Sequence, residues 1–190
     1  MSTRLISVDE SHIERANRML HGLSGAAPKA LSRALNRSLE NARSNAVKKV
    51  REEYTVRARD VRQTIRLTRS KPNQLEGEVR STGRSLPLSA FSVAPKTVNG
   101  KRRSPIRVSV RKGSKQGMNR AFVARVGGSV RVFERVGGRR LPIRQLFGPS
   151  VPQMIGNKTV VDFVSIEARK TMDVRLDHEI KRILDGADFK

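Results

Sequence analysis

The chain has 190 residues, enough for one domain with a helical extension or for two small ones. Hydrophobic content is 36%, with 4% aromatic residues and no Trp, against a globular average of roughly 45–50% that also counts Gly. The net charge is +23, from 40 Lys and Arg against 17 Asp and Glu, which works against an isolated compact monomer and favours a polyanionic partner.

The core must be modest, built from Leu, Val, Ile and Ala, and such a chain gains by burying surface against partners. Nucleic acid is the first polyanion to consider, ahead of an acidic protein surface or an anionic membrane. Arg outnumbers Lys, which suits forks to phosphate and carboxylate. With no Cys there is no disulfide framework and no thiolate metal site. The opening stretch from Met1 to Glu10 lacks the apolar core of a signal peptide. No run approaches the ~20 apolar residues of a membrane helix. The expectation is a protein made and used in the cytoplasm, or packaged into a particle assembled there, with no membrane partner.

Residues 9–23 read as a short helix. Ile13, Ala16, Leu20 and Leu23 keep helical spacing, Asp9 or Ser11 can cap it, and Ser24-Gly25 breaks it. Residues 1–25 are taken as an N-terminal helical arm and residues 26–190 as a single α+β domain. A long helix is expected over residues 28–53. Pro28 suits its first turn. Leu31, Leu35, Leu39, Ala42, Ala46 and Val50 make its stripe. Ala26, Ala27, Ala30 and Ala34 add a small-residue surface that another element can approach. Arg33, Arg37, Arg43, Lys48 and Lys49 are read as a solvated face.

Thr55 is placed as the cap of a short helix through Arg62. Ile65 and Leu67 then alternate with polar residues, as do Leu75, Gly77 and Val79 after the Ser70–Asn73 turn, giving a β-hairpin. Residues 83–104 are irregular, with a short extended piece over 88–93. Ile106, Val108 and Val110 alternate with Arg107, Ser109 and Arg111, one strand face apolar and the other basic. Lys112–Gly117 has loop composition.

The stretch from Arg120 to Ile155 organises the rest. Two β-branched and aromatic runs flank Gly127-Gly128, which can take the positive φ angles of a two-residue hairpin turn. In that register Phe122 faces Phe133 and Val123 faces Val132, pairs that contribute a few tenths to about 1 kcal/mol each. Each face is mixed. Phe122, Ala124, Val126, Ser129, Arg131 and Phe133 share one face; Ala121, Val123, Arg125, Val130, Val132 and Glu134 share the other. Two readings fit. Either one face packs on the chain's own helices and a partner covers the other, or the pair is fully buried in a monomer, which demands partners for Arg125, Arg131 and Glu134. Under the first reading Phe122, Arg125, Arg131, Phe133 and Glu134 are subunit-interface candidates. Pro142 to Phe147 is read as one helical turn, and Val151-Pro152 as part of a stiff connection. Asn157 or Thr159 caps a last helix through Leu184. Its apolar side is Phe163, Ile166, Met172, Leu176, Ile180 and Ile183, with Arg175–Glu179 and Asp177–Lys181 as i,i+4 pairs.

Charge is polarised. Residues 101–145 hold 14 Lys or Arg and one acid, Glu134, whereas residues 159–190 hold six basic and seven acidic side chains. A basic block with few aromatics fits contact with a phosphate backbone, without sequence reading or base stacking. Its candidates for facing DNA are Arg102, Arg103, Arg107, Arg111, Lys112 and Lys115. Pairing with carboxylates of a neighbouring subunit accounts for the block as well. No enzyme chemistry stands out. His12, His21 and His178 lack metal-ligand spacing, the Gly pairs precede no Gly-Lys-Ser/Thr, and acids are too sparse near the basic block for a metal-dependent nuclease. No catalytic residue, cofactor or metal is expected.

Taken in order, several segments resemble the minor tail protein Z family of prophages and long-tailed phages. They are the Ala-rich helix from Ala30 to Val50, Leu86-Pro87-Leu88, Ala121-Phe122, Arg135-Val136, Pro142-Ile143 and Val151-Pro152. The resemblance spans roughly residues 28–185. It implies a structural virion protein without enzymatic activity: a minor tail or tail-completion component at the head-proximal end of a long tail. Such a component joins a ring, most often hexameric, at the head–tail joint and positions the DNA end. The implied partners are other copies of the chain, the tail terminator, tail tube and tape measure proteins, and phage DNA. The alternative class is a cellular, sequence-independent nucleic-acid-binding protein, ribosome- or nucleoid-associated. It explains the charge equally well and the mixed hairpin faces less well. The expected fold is α+β, with long N-terminal and C-terminal helices packed on a small, mostly antiparallel β-sheet over residues 64–136 that contains the central hairpin.

Overall fold

The computed structural model describes residues 9–98 and 104–186. Its frame is a pair of long helices, α2 (Ala26–Glu53) and α5 (Lys158–Leu184). They run antiparallel: Arg33 meets Glu179 at 3.7 Å, Ser38 Oγ donates to Ala168 O at 2.6 Å, and Thr159 Oγ1 donates to Glu53 Oε1 at 2.6 Å. Every residue of the stripe expected on α2 is buried, and so are Ala26, Ala27, Ala30 and Ala34. The small side chains let neighbouring backbone come close, as the Ser38–Ala168 bond requires.

On α5 the buried row is Val160, Val164, Ala168, Met172, Leu176 and Ile180, an i+4 ridge of the kind that packs into a facing groove. Ile166, expected on the apolar side, lies off that ridge and is exposed, and Phe163 is half-buried. Asn157 caps the helix as expected, accepting from Thr159 N–H at 3.3 Å. The expected i,i+4 ion pairs give way to others. Glu179 lies between Arg182 at 2.7 Å and Arg33, and Asp177 bonds to Arg15. Glu179 is taken by Arg182 of its own helix and by Arg33 of α2, and Asp177 by Arg15 of the first helix.

Helix α1 (Glu10–Met19) starts at Asp9. The Asp9 N–H donates to His12 Nδ1 at 3.3 Å, and His12 Nε2 bonds to Asp173 Oδ1 at 3.1 Å. His12 is therefore a link between α1 and α5. Ala16 and Leu20 enter the core while Ile13 and Leu23 stay exposed.

A hairpin of β1 (Ile65–Thr68) and β2 (Glu78–Ser81) lies along α2, with Ile65 and Val79 facing in. Its loop is fastened at Ser70. The Ser70 N–H donates to Asn36 Oδ1 at 2.9 Å, and Asn36 Nδ2 and Ser32 Oγ donate to Ser70 O at 3.0 and 3.1 Å. Gly77 sits so close to α2 that a Cβ there would meet Leu39 Cδ1 at 2.5 Å. Helix α3 (Ala58–Arg62) begins later than expected because the Thr55 hydroxyl is used elsewhere, accepting from Ser92 N–H at 3.0 Å and donating to Ser109 O.

The architecture is α+β, and the single sheet expected divides into several small antiparallel ones. Beside β1–β2, strand β3 (Ser85–Pro87) pairs with β10 (Phe147–Ser150). Strands β4 (Ser92–Ala94), β5 (Ile106–Ser109) and β6 (Gln116–Met118) form one meander, and β7 (Ala121–Val126), β8 (Ser129–Arg135) and β9 (Ile143–Gln145) form another. Pro87, Pro95, Pro105 and Pro149 punctuate this region, and Pro has no N–H to continue a ladder. Residues 142–147 are extended rather than a helical turn, because Ile143, Arg144 and Gln145 pair with β8. Val151-Pro152 opens a short helix, α4 (Val151–Ile155), rather than a connection. Ser150 and Gln153 cap it reciprocally: Gln153 N–H donates to Ser150 Oγ at 3.3 Å, and Ser150 N–H to Gln153 Oε1 at 2.8 Å.

The strands meet the helices at the end of α2. Lys112 N–H donates to Glu53 O at 2.8 Å and Thr55 N–H to Val110 O at 3.0 Å. The buried Tyr54 accepts from Arg111 Nη2 and from Asn157 Nδ2, both at 3.3 Å. Helix α2, strand β5 and the start of α5 are thus tied at one residue.

Candidate partner-binding surface

The hairpin β7–β8 has the register read from its sequence, with Phe122 opposite Phe133 and Val123 opposite Val132. Gly127 and Gly128 turn it with φ of 58° and 76°, both positive as a type I′ turn requires. The Phe122 and Phe133 rings stack at 6.1 Å between centroids, and the Arg135 guanidinium lies 5.3 Å from the Phe122 ring. Ala121, Val123 and Val132 enter the core. Phe133 is buried, Phe122, Arg131 and Glu134 are half-buried, and Arg125 is exposed. The polar members find partners on β9. Arg131 Nη1 donates to Gln145 Oε1 at 3.1 Å, and Arg144 Nη2 lies 2.9 Å from Glu134 Oε2.

Beside this hairpin runs an open groove of about 680 Å³ of mixed character, lined by Val98, Phe122, Ala124, Leu141 and Ile143 together with Thr97, Arg135 and Arg140. Leu141 is 66% exposed, Val136 57% and Val98 54%. Leu141 and Val98 share the groove with Arg135 and Arg140. A second hollow of about 390 Å³ adjoins it, lined by Phe91, Val93, Val130 and Val132, with Arg57, Lys96 and Arg131 around it. Val98, Val136 and Leu141 were not among the interface candidates, because each stands alone among Gly, Pro and Arg and carries no periodic signal.

Of the candidates for facing DNA, Arg107, Arg111, Lys112 and Lys115 are all exposed. Arg102 and Arg103 lie outside the described residues. Arg107 projects from β5, while Lys112 and Lys115 belong to the loop that follows. Arg111 is partly engaged, stacked 5.4 Å from the Tyr54 ring centroid. Among the described residues of 104–145, Glu134 is the lone carboxylate and Arg144 is its ion-pair partner. The other cations of this end have no carboxylate within ion-pair reach among the described residues. No group of three or more His, Asp or Glu is placed to hold a metal among the described residues. No helix among them is long and apolar enough to cross a membrane.

The chain is a basic α+β protein whose strand end, apart from Arg144, carries cations with no carboxylate beside them among the described residues. Over residues 12–185 it matches the family described as prophage minor tail protein Z, and the chain belongs to that family. Its role is therefore structural, in a phage tail, as a virion component. The match takes in most of α1, which the resemblance read from the sequence left out. No curated protein and no solved structure matches the chain.

Proposed function

We propose that this chain is a tail-completion component at the head-proximal end of a long phage tail, where copies of it close into a ring, hexameric in the commonest case, at the head–tail joint. The protein assembles in the host cytoplasm and ends in the neck of the virion. Its neighbours are the tail terminator, tail tube and tape measure proteins, and it performs no catalysis. The basic strand end faces the DNA and helps to place its end. The groove beside β7, with Leu141 and Val98 open in it, seats a neighbouring subunit in the head-to-tail manner that closes rings.

The observation that carries this reading is the strand end itself. Among the described residues its cations, Arg144 apart, have no internal carboxylate and stand near open apolar residues, so one end of the molecule offers both a phosphate-seeking and a protein-seeking surface. The test is the mass of the purified chain at moderate salt, by light scattering, with and without short duplex DNA. A closed ring, or a monomer that forms rings only with a tail-tube partner, is the expected result. A stable monomer that binds DNA with a steep salt slope and never assembles would overturn it in favour of a free-standing binding protein. Replacing Arg102, Arg103, Arg107, Arg111, Lys112 and Lys115 with Gln is expected to reduce DNA retention and infectivity. Particles unchanged in both would remove DNA contact from the reading.

A further inference from the structure

A second basic surface lies away from the hairpin, along the outer side of α2. There α2, α3, β1 and the loop after β5 enclose two shallow hollows of about 320 and 360 Å³ that share Ser44 and Arg62. Their cations are Arg43, Lys48, Arg51, Arg62, Arg69 and Lys112. In the sequence the α2 charges read as a solvated face; the fold gathers them with charges from three other stretches.

The carboxylates in reach are already used. Glu40 is held by Arg37 at 3.1 Å and Arg69 at 2.7 Å, and Glu52 lies 3.6 Å from Lys49. Lys48, Arg51, Arg62 and Lys112 are exposed and have no ion pair among the described residues. The Nε of Arg43 is enclosed and has no acceptor among them. So many cations without counter-charge call for a polyanion.

We propose that this groove binds the phosphodiester backbone of duplex DNA. The inference rests on the DNA-contact reading above and adds the helical side of the molecule to the contact surface. From Arg43 to Arg51 the helix rises about 12 Å, the axial length of three to four phosphates of one strand at roughly 3.4 Å each. Between the charges the lining is Ser44, Val47, Ala58 and Leu67. No aromatic ring is offered for stacking, which sets the groove apart from single-strand platforms. Contact through the backbone alone carries no sequence preference.

The test is binding of the full chain to a short duplex over a range of salt concentrations. Each neutralised phosphate contributes about −0.9 to the slope of log K against log salt. Lys48→Gln, Arg51→Gln and Arg62→Gln, made singly, are each expected to flatten the slope by up to about 0.9. The charge-keeping set Lys48→Arg, Arg51→Lys and Arg62→Lys keeps it. Unchanged slopes in the Gln variants, with loss on replacing Arg107, Arg111 and Lys115, would overturn the groove and leave the DNA reading standing. A wild-type chain that binds no duplex would overturn both. Polyglutamate competing as well as duplex at equal charge would make the groove a carboxylate-binding surface and end the proposal.

Discussion

Along the helices, cations meet carboxylates across element boundaries: Arg33 reaches Glu179, Arg15 reaches Asp177, and Arg69 reaches Glu40, while Arg182 joins Glu179 from within α5. At the strand end, Glu134 and Arg144 form the ion pair among the described residues, and the other cations there have no carboxylate partner among them. The apolar residues divide in the same way. Leu31, Leu35 and Leu39 on α2 are enclosed, whereas Val98, Val136 and Leu141 beside the hairpin are open. Exposed ion pairs contribute only about 0–1 kcal/mol each, so the helical half stands on its apolar seam. The strand end leaves its charge and its open apolar side chains uncovered among the described residues, which is the ground of the proposal that partners cover them.

That contrast can be broken at the seam first. Leu35→Ala removes a fully buried side chain facing the helix pair and is expected to cost about 2–5 kcal/mol, read from the denaturant midpoint; a midpoint that barely moves would mean the seam is not the chief support. Next, Gly77→Ala drives a Cβ into Leu39 and should cost about 1–3 kcal/mol, with the same readout. A neutral result there would show that the β1–β2 hairpin does not sit tightly on α2. Ser38→Ala deletes the buried bond to Ala168 O, an expected loss of about 1 kcal/mol.

The smallest stability effect belongs to the other half. Val136→Ser with Leu141→Ser should shift the midpoint by no more than about 0.5 kcal/mol. The same pair is expected to lower the assembled mass in light scattering. If the pair destabilises the monomer and leaves assembly intact, the two halves do not divide the work in this way.

The features legible in the sequence are those set by short-range chemistry. Gly127-Gly128 between two β-branched runs fixes the turn and so the whole register of β7–β8. The Leu31–Val50 stripe fixes α2. What escaped reading depended on distant partners. Thr55 looks like a cap until Ser92 and Ser109 are brought to it. Residues 142–147 look helical until β8 offers them an edge. Ser150 and Gln153 did form a local signal, but it lay under the prolines that suggested a stiff connection. The same holds for the surfaces. The basic block of residues 101–145 is contiguous and visible, while the groove beside α2 draws its cations from stretches far apart in the chain.

The junction at Glu53–Thr55 has a mechanical consequence. Tyr54 holds Arg111 and Asn157, Thr55 spans Ser92 and Ser109, and Glu53 accepts from Lys112. Three consecutive residues thereby fasten the end of α2 to two stretches of the strand region and to the start of α5, so the loss of this one junction would loosen all of them at once.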